Sequence, residues 1–211
     1  TPPLPASSAC GPLVTVRSVV GDLLEIHTDG APGIAAQALK VKVAERWLIP
    51  VACQKLVCGD NVLEKDAEVT ACLPGEALAR EVTVVVTTEE VCHSLTSVDA
   101  DIRMTALLDL ATLSRKGGEA LITKVSGCLE DHDFSVRCAA VEALNAIAGK
   151  GYDHALFVVS AYLEHPQRGA RLAAVEALSV VAERGDFLAI LAASTRLKDP
   201  EPLIRLAAVE A

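Results

Sequence analysis

Aromatic side chains are scarce in this 211-residue chain: three Phe, two Tyr and one Trp make up 3% of it. So few rings disfavour a ligand cavity walled by aromatic faces, while an apolar half supplied by Ala, Val and Leu favours close helix-on-helix packing. Bases are also in deficit, 19 against 28 acids, for a net charge of −9. The shortfall is shared, with 7 bases and 10 acids in residues 1–88 and 12 and 18 in residues 89–211. Binding a phosphate backbone requires clustered Lys and Arg, so nucleic acid is not an expected partner. Long apolar runs are missing too; segments such as ALFVV and FLAILAA are too short to span a bilayer, and neither a membrane span nor a signal peptide is expected.

The seven cysteines (10, 53, 58, 72, 92, 128 and 138) are odd in number and contain no CxxC pair. Reduced thiols in an intracellular compartment are expected: the cytoplasm, or a plastid or mitochondrion after loss of a targeting segment. Residues 1–12, TPPLPASSACGP, are rich in Pro and Ser and are expected to be a flexible leader or a processing remnant. No GxSxG elbow, phosphate loop, HExxH or GxGxxG occurs, so no familiar catalytic constellation can be built locally, and no cofactor is implied.

What the chain does contain is repetition. RCAAVEAL at 137–144 returns as RLAAVEAL at 171–178 and as RLAAVEA at 205–211. At an offset of 34 residues Arg103, Arg137, Arg171 and Arg205 form one column, and Gly117, Gly151 and Gly185 a second. Ile122, Leu156 and Ile190 make a third, and Leu129, Leu163 and Leu197 a fourth. Leu121, Ile122, Val125 and Leu129 have helical spacing, Asp131, His132 and Asp133 form a turn, and Val136, Ala140, Leu144 and Ile147 share the face of a second helix. The glycine, preceded by Lys or Arg, is expected to close that helix in a left-handed conformation. A pair of short helices cannot bury both apolar faces alone, so the hairpins are expected to stack as a solenoid.

Residues 97–211 resemble the HEAT-repeat family, in which the first helix ends in Asp and the second opens with Val-Arg. DHDFSVR places Asp131 six residues before Arg137, and DPEPLIR places Asp199 six before Arg205; His165 and Ser97 depart from the pattern. The Trp-Leu-Gly-Tyr signature of tetratricopeptide repeats, whose period is the same, is missing. The resemblance implies a polar ladder between repeats through Asp131, Arg137, Arg171, Asp199 and Arg205. It divides the region into a capping half repeat at 97–116, repeats at 117–150 and 151–184, and an incomplete one at 185–211. Because the last unit stops in mid-helix, the natural chain is expected to continue or another protein to cover that end.

Residues 13–88 carry a different rhythm. LVTVRSVVGDLLEIHT predicts two strands around a turn, IAAQALKVKVAERWLIP a helix stopped by Pro50, QKLVCGDNVLEKDAEV two short strands around Gly59-Asp60, and EVTVVVTT a last strand. This ββαββ order resembles the ubiquitin-like β-grasp family, with Lys40, Ile49 and Pro50 matching its helix motif. The resemblance puts Val19, Val57 and Val85 where ubiquitin presents its apolar recognition patch, with Thr83 in place of a basic residue. There is no diglycine tail, since Val86 runs on into TTEEVCHS. The expected fold is therefore multidomain: an α+β ubiquitin-like domain at 13–88, a linker at 89–96 and an all-α HEAT-repeat solenoid at 97–211.

Chemical readings of single residues are weak beside these patterns. Cys128, His132 and Cys138 lack a fourth zinc ligand, Cys53 and Cys58 have the wrong spacing for a redox pair, and adjacency points Cys92 and His93 apart. Glu142, Glu176 and Glu210 share a column and form either a solvated helical face or an acidic stripe for partners. The expectation is a non-enzymatic scaffold or adaptor that docks other proteins, within a multi-subunit assembly, through the ubiquitin-like patch and the solenoid surface. Alternatives are ubiquitin-like targeting to a proteasome or chaperone, and chromophore handling of the kind found in HEAT-like bilin lyases.

Overall fold

The structure is a computed structural model that describes residues 13–18, 22–28, 31–70, 81–113 and 118–211. The leader, Val19 and Gly117 lie outside the described residues. The chain divides into two compact units, Thr1–Thr87 and Thr88–Ala211.

In the first unit β1 (Leu13–Ser18) and β2 (Leu23–His27) form the antiparallel pair that period-two alternation predicts. Val14, Val16 and Ile26 turn inward, while Arg17, Leu23 and Glu25 stay exposed. The short β3 (Gly33–Ala35) runs straight into α1 (Ala36–Trp47), whose Ala36, Leu39 and Val43 are buried at helical spacing. Leu48 ends the helix at φ 55°, its N–H donating to the Ala44 carbonyl at 2.9 Å, and Pro50 prevents continuation.

Then follow β4 (Gln54–Cys58), a turn at Gly59 with φ 60°, β5 (Asn61–Val62), β6 (Glu68–Thr70) and β7 (Val82–Val86). The main sheet has the order β2-β1-β7-β4-β5, with β1 and β7 parallel and the other pairs antiparallel. Its inner face and α1 enclose Val14, Val16, Leu39, Val43, Leu56, Val82 and Val84. Buried Gln54 fastens the helix to the sheet, its Nε2 donating to the carbonyls of Lys40 at 2.9 Å and Ile49 at 2.8 Å. The pair β3–β6 was not legible in the sequence, because three residues are too few to display a period.

Among the described residues, the second unit contains four helical hairpins. Each pairs a shorter first helix with a second: α2 (Glu89–Ser94) with α3 (Ala100–Thr112), α4 (Glu119–Gly127) with α5 (Phe134–Ile147), α6 (Asp153–Ala161) with α7 (Arg168–Val181), and α8 (Phe187–Ser194) with α9 (Pro202–Glu210). The second helices pack in the order α3, α5, α7, α9, and the first helices α4, α6 and α8 pack likewise. Leu110, Leu144 and Leu178 are buried as one column, as are Ile122 with Leu156 and Leu129 with Leu163. Each such side chain removed from water contributes about 1.5–3 kcal/mol. In the last hairpin the equivalent Ile190 and Leu197 are 58% and 45% exposed, because no further layer covers them.

Two features differ from the sequence reading. The segment 89–96, read as a linker, carries α2, which packs on α3 and buries Val91 and Leu95. The first unit of the array is thus a complete though short hairpin in place of a half repeat. Moreover, Gly151 and Gly185, the described glycines of the column, do not close the second helices before them. Gly149, at φ 69°, follows the Ala148 that ends α5, while α7 ends at an extended Ala182 that needs no left-handed residue. Gly151, at φ 70°, serves the hairpin that follows it instead: its N–H donates at 2.8 Å to the carbonyl of Val181, satisfying a C-terminal acceptor of α7.

Candidate interaction surfaces

Arginines at the start of the second helices organise the joints between hairpins. In each case Nη1 donates to two carbonyls of the preceding turn: Ser97 and Val98 for Arg103, Asp131 and His132 for Arg137, His165 and Pro166 for Arg171, and Asp199 and Pro200 for Arg205. That anchorage holds the other edge of the guanidinium toward the next hairpin. Arg103 uses it as a fork on Asp131, with Nε–Oδ2 at 2.7 Å and Nη2–Oδ1 at 2.8 Å. Arg171 does the same to Asp199, at 2.8 and 3.1 Å. Each Asp also caps its own turn, Oδ1 accepting from the N–H of Asp133 or Glu201.

These bonds stabilise both charges. Burial pushes the Asp131 carboxyl upward, but the Arg103 hydrogen bonds and the Asp133 N–H outweigh it and leave the group below its ordinary value. The Arg171 hydrogen bonds likewise outweigh burial at Asp199 and hold it low, and both arginines are raised by their carboxylate partners.

The rungs therefore join Arg103 to Asp131 and Arg171 to Asp199, 28 residues apart, across hairpins. The ladder expected through Arg137 and Arg205 is not closed at either: among the described residues neither has a carboxylate within ion-pair distance. Arg103, which heads the Arg column, was missing from the expected ladder set. An Arg-to-Asp spacing of 28 is the signal that reveals it.

On the sheet unit, Val57 lies opposite Thr83 and Val85 opposite Lys55 in the β4–β7 pairing. All four are half-buried on the face turned away from the core, continued by exposed Val62 beside Val57. Val57 and Val85 are thus brought onto one surface, while Val19 is outside the described residues. In the helical unit Glu142, Glu176 and Glu210 project exposed from α5, α7 and α9. Partial desolvation raises the Glu176 carboxyl, and Arg137 pulls the other way.

Of the described thiols, Cys92 and Cys128 line one groove of the helical unit, whereas Cys53 and Cys58 belong to the sheet unit. Cys53 and Cys58 stand at opposite ends of β4, roughly 16 Å apart at strand rise, too far for a disulfide. Cys128 is buried and its thiol is pushed up to about 11, burial being the main cause, whereas His132 is largely exposed and Cys138 half-buried. Among the described residues no group of three or more His, Cys, Asp and Glu could hold a metal ion. An open groove of about 430 Å³ lies between α2 and α4 and is lined by Glu89, Cys92, His93, Leu95, Lys124 and Cys128. No helix among the described residues is long and apolar enough to cross a membrane.

Stacked hairpins with an Arg anchored at the start of each second helix define the architecture of residues 88–211. Residues 88–179 match the HEAT-repeat family. The HEAT match begins at α2, in agreement with the complete first hairpin. No curated protein matches the chain. Among solved structures, two engineered proteins of the Northeast Structural Genomics Consortium align at 18% and 21% identity with TM-scores of 0.37 and 0.39. The alignments cover 57% and 59% of this chain and 59% and 61% of theirs. ATBAG1, solved in complex with HSP70, aligns at 12% identity with a TM-score of 0.32 over 81% of this chain and 93% of its own. The chain is thus an α+β sheet region followed by an all-helical HEAT-repeat region.

Proposed function

We propose that the protein is a non-enzymatic scaffold whose two units dock different protein partners within a larger assembly. The observation that carries this reading is the HEAT array itself: stacked hairpins present side chains from successive helices as one extended surface. The acidic column Glu142, Glu176 and Glu210 supplies a regular line of charge on that surface.

For the sheet unit we propose a ubiquitin-like domain. The order β2-β1-β7-β4-β5, the parallel contact of the first and last strands and a single helix packed on one face support that reading. The outer face of β4 and β7 then serves as its recognition patch, built from Val57, Val85 and neighbouring Val62 and Thr83. A charge placed among these side chains strands an ion in an apolar contact and disrupts docking.

The test is affinity purification of the full chain from its native source, with and without Val57→Asp. The expected result is loss of a defined subset of copurifying proteins while the remainder, held by the helical unit, is recovered. Unchanged recovery of every partner would remove the patch.

A further inference from the structure

The second joint of the helical unit is built differently from the other two. Asp131 and Asp199 each do two jobs, capping their turn through one oxygen and filling the fork of the preceding arginine with both. At the middle joint the corresponding residue is His165. Its Nδ1 accepts from the Gln167 N–H at 3.3 Å, so the capping job is kept. Its other nitrogen, Nε2, lies 3.0 Å from Glu130 Oε2 and takes that carboxylate as partner. Both ring nitrogens are therefore committed, and an imidazole with a proton on Nε2 offers the arginine no acceptor.

Arg137 is nevertheless held in the attitude of its siblings, Nη1 donating to the carbonyls of Asp131 at 2.8 Å and His132 at 3.2 Å. Its Nε and Nη2 have no hydrogen-bond acceptor among the described residues. Two neighbours keep the group in place. The Phe134 ring lies 5.6 Å from the guanidinium carbon and is itself 66% exposed, and Gly169 gives room where a Cβ would stand 3.0 Å from that carbon. The corresponding positions in the adjacent repeats hold Ser135 and Leu203. Glu176, the acid whose charge acts on Arg137 from α7, is not within ion-pair distance, and Glu130 is taken by His165.

We infer that the unfilled Nε/Nη2 edge of Arg137, anchored by the Asp131 and His132 carbonyls and flanked by Phe134, is a preorganised receptor for a carboxylate side chain of a partner protein. Two filled forks of the same anchorage show which geometry the site accepts, and Arg is suited to planar two-point recognition of a carboxylate. Phe134 adds an exposed apolar contact beside the charge. This deepens the scaffold reading by naming a site and ligand chemistry on the helical unit, and its test can fail while partner docking stands.

The experiment follows the Arg137 Nε–Hε resonance of the full chain by NMR during titration with N-acetylaspartyl amide at constant ionic strength. The isosteric N-acetylasparaginyl amide is the neutral control. A saturable shift with the acid alone is expected, with a midpoint on the order of tens of millimolar for one charged two-point contact. His165→Asp, which fills the fork from within, should move the Nε–Hε resonance in the absence of probe and raise the midpoint at least tenfold. Arg137→Lys, which keeps the charge without the fork, provides a second comparison: a partner retained by the wild type at moderate salt should be released. A non-saturating response, an equal response to the asparagine analogue, or an unchanged midpoint in His165→Asp overturns the proposal.

Discussion

Arg103 is only 5% exposed, and its guanidinium is accommodated because every edge of it has a partner: two carbonyls on one side and both Asp131 oxygens on the other. A buried ion pair is a weak source of net stability, yet removing one member is costly because it strands the other. Asp131→Asn should therefore lower the unfolding free energy by about 2 kcal/mol at neutral pH, measured by urea denaturation. The pH dependence follows from the direction of the shift. Because folding holds the Asp131 and Asp199 carboxyls below their ordinary value, their contribution is fully present above about pH 4 and is lost as pH falls through the lower folded values. The stability difference between wild type and Asp131→Asn should accordingly shrink toward zero on acidification below about pH 4. A constant difference from pH 7 to pH 2 would show that the pair's charge is not what matters.

At the scale of the element, the repeat period was legible, but the roles of its columns were only partly so. Leu144 and Leu178 stood out because identical apolar residues recur at 34, and both are buried. Gly151 also recurs at that spacing, yet its work lies not in the helix before it but in the hairpin that follows, where its N–H meets the Val181 carbonyl. An added Cβ would meet left-handed strain at φ 70° and stand 2.8 Å from the Glu183 side chain. Gly151→Ala should cost about 1–2 kcal/mol and lower the melting temperature, whereas Gly118→Ala, at an N-terminal position with open space around it, should cost less. α2 was missed for a related reason: six residues give too little apolar periodicity to announce a helix, and only Val91 and Leu95 docking beneath α3 reveal it.

Over the whole molecule, the helical unit behaves as a line of hairpins in which each layer is stabilised by its neighbours. α5 and α7 are covered on two sides and bury Val136, Ala140, Leu144 and Ile147, and Ala170, Ala174, Leu178 and Val181. α8 buries only Ala189 and Ala193, and α9 only Ile204 and Ala208. Native-state hydrogen exchange should therefore show the slowest amides in α5 and α7 and exchange faster by one or more orders of magnitude in α8 and α9. Uniform protection across the four second helices would mean that the array opens as a single block. Filling Ile190 and Leu197 with a further layer should raise the protection of α8 and α9 toward that of the inner hairpins.

By itself the sequence determined the succession of an alternating β region and a 34-residue helical repeat, because both periods are local properties of the chain. The outward placement of Val57 and Val85, expected from the resemblance to the ubiquitin-like family, is seen in the structure as alternation against buried Leu56 and Val84. Tertiary structure alone decided which charges meet. The carboxylate partners of Arg103 and Arg171 come from the next hairpin, and His165 breaks the series because its two nitrogens are engaged elsewhere. A repeat reports what every unit shares; which fork is filled and which is left open depends on how neighbouring units are stacked.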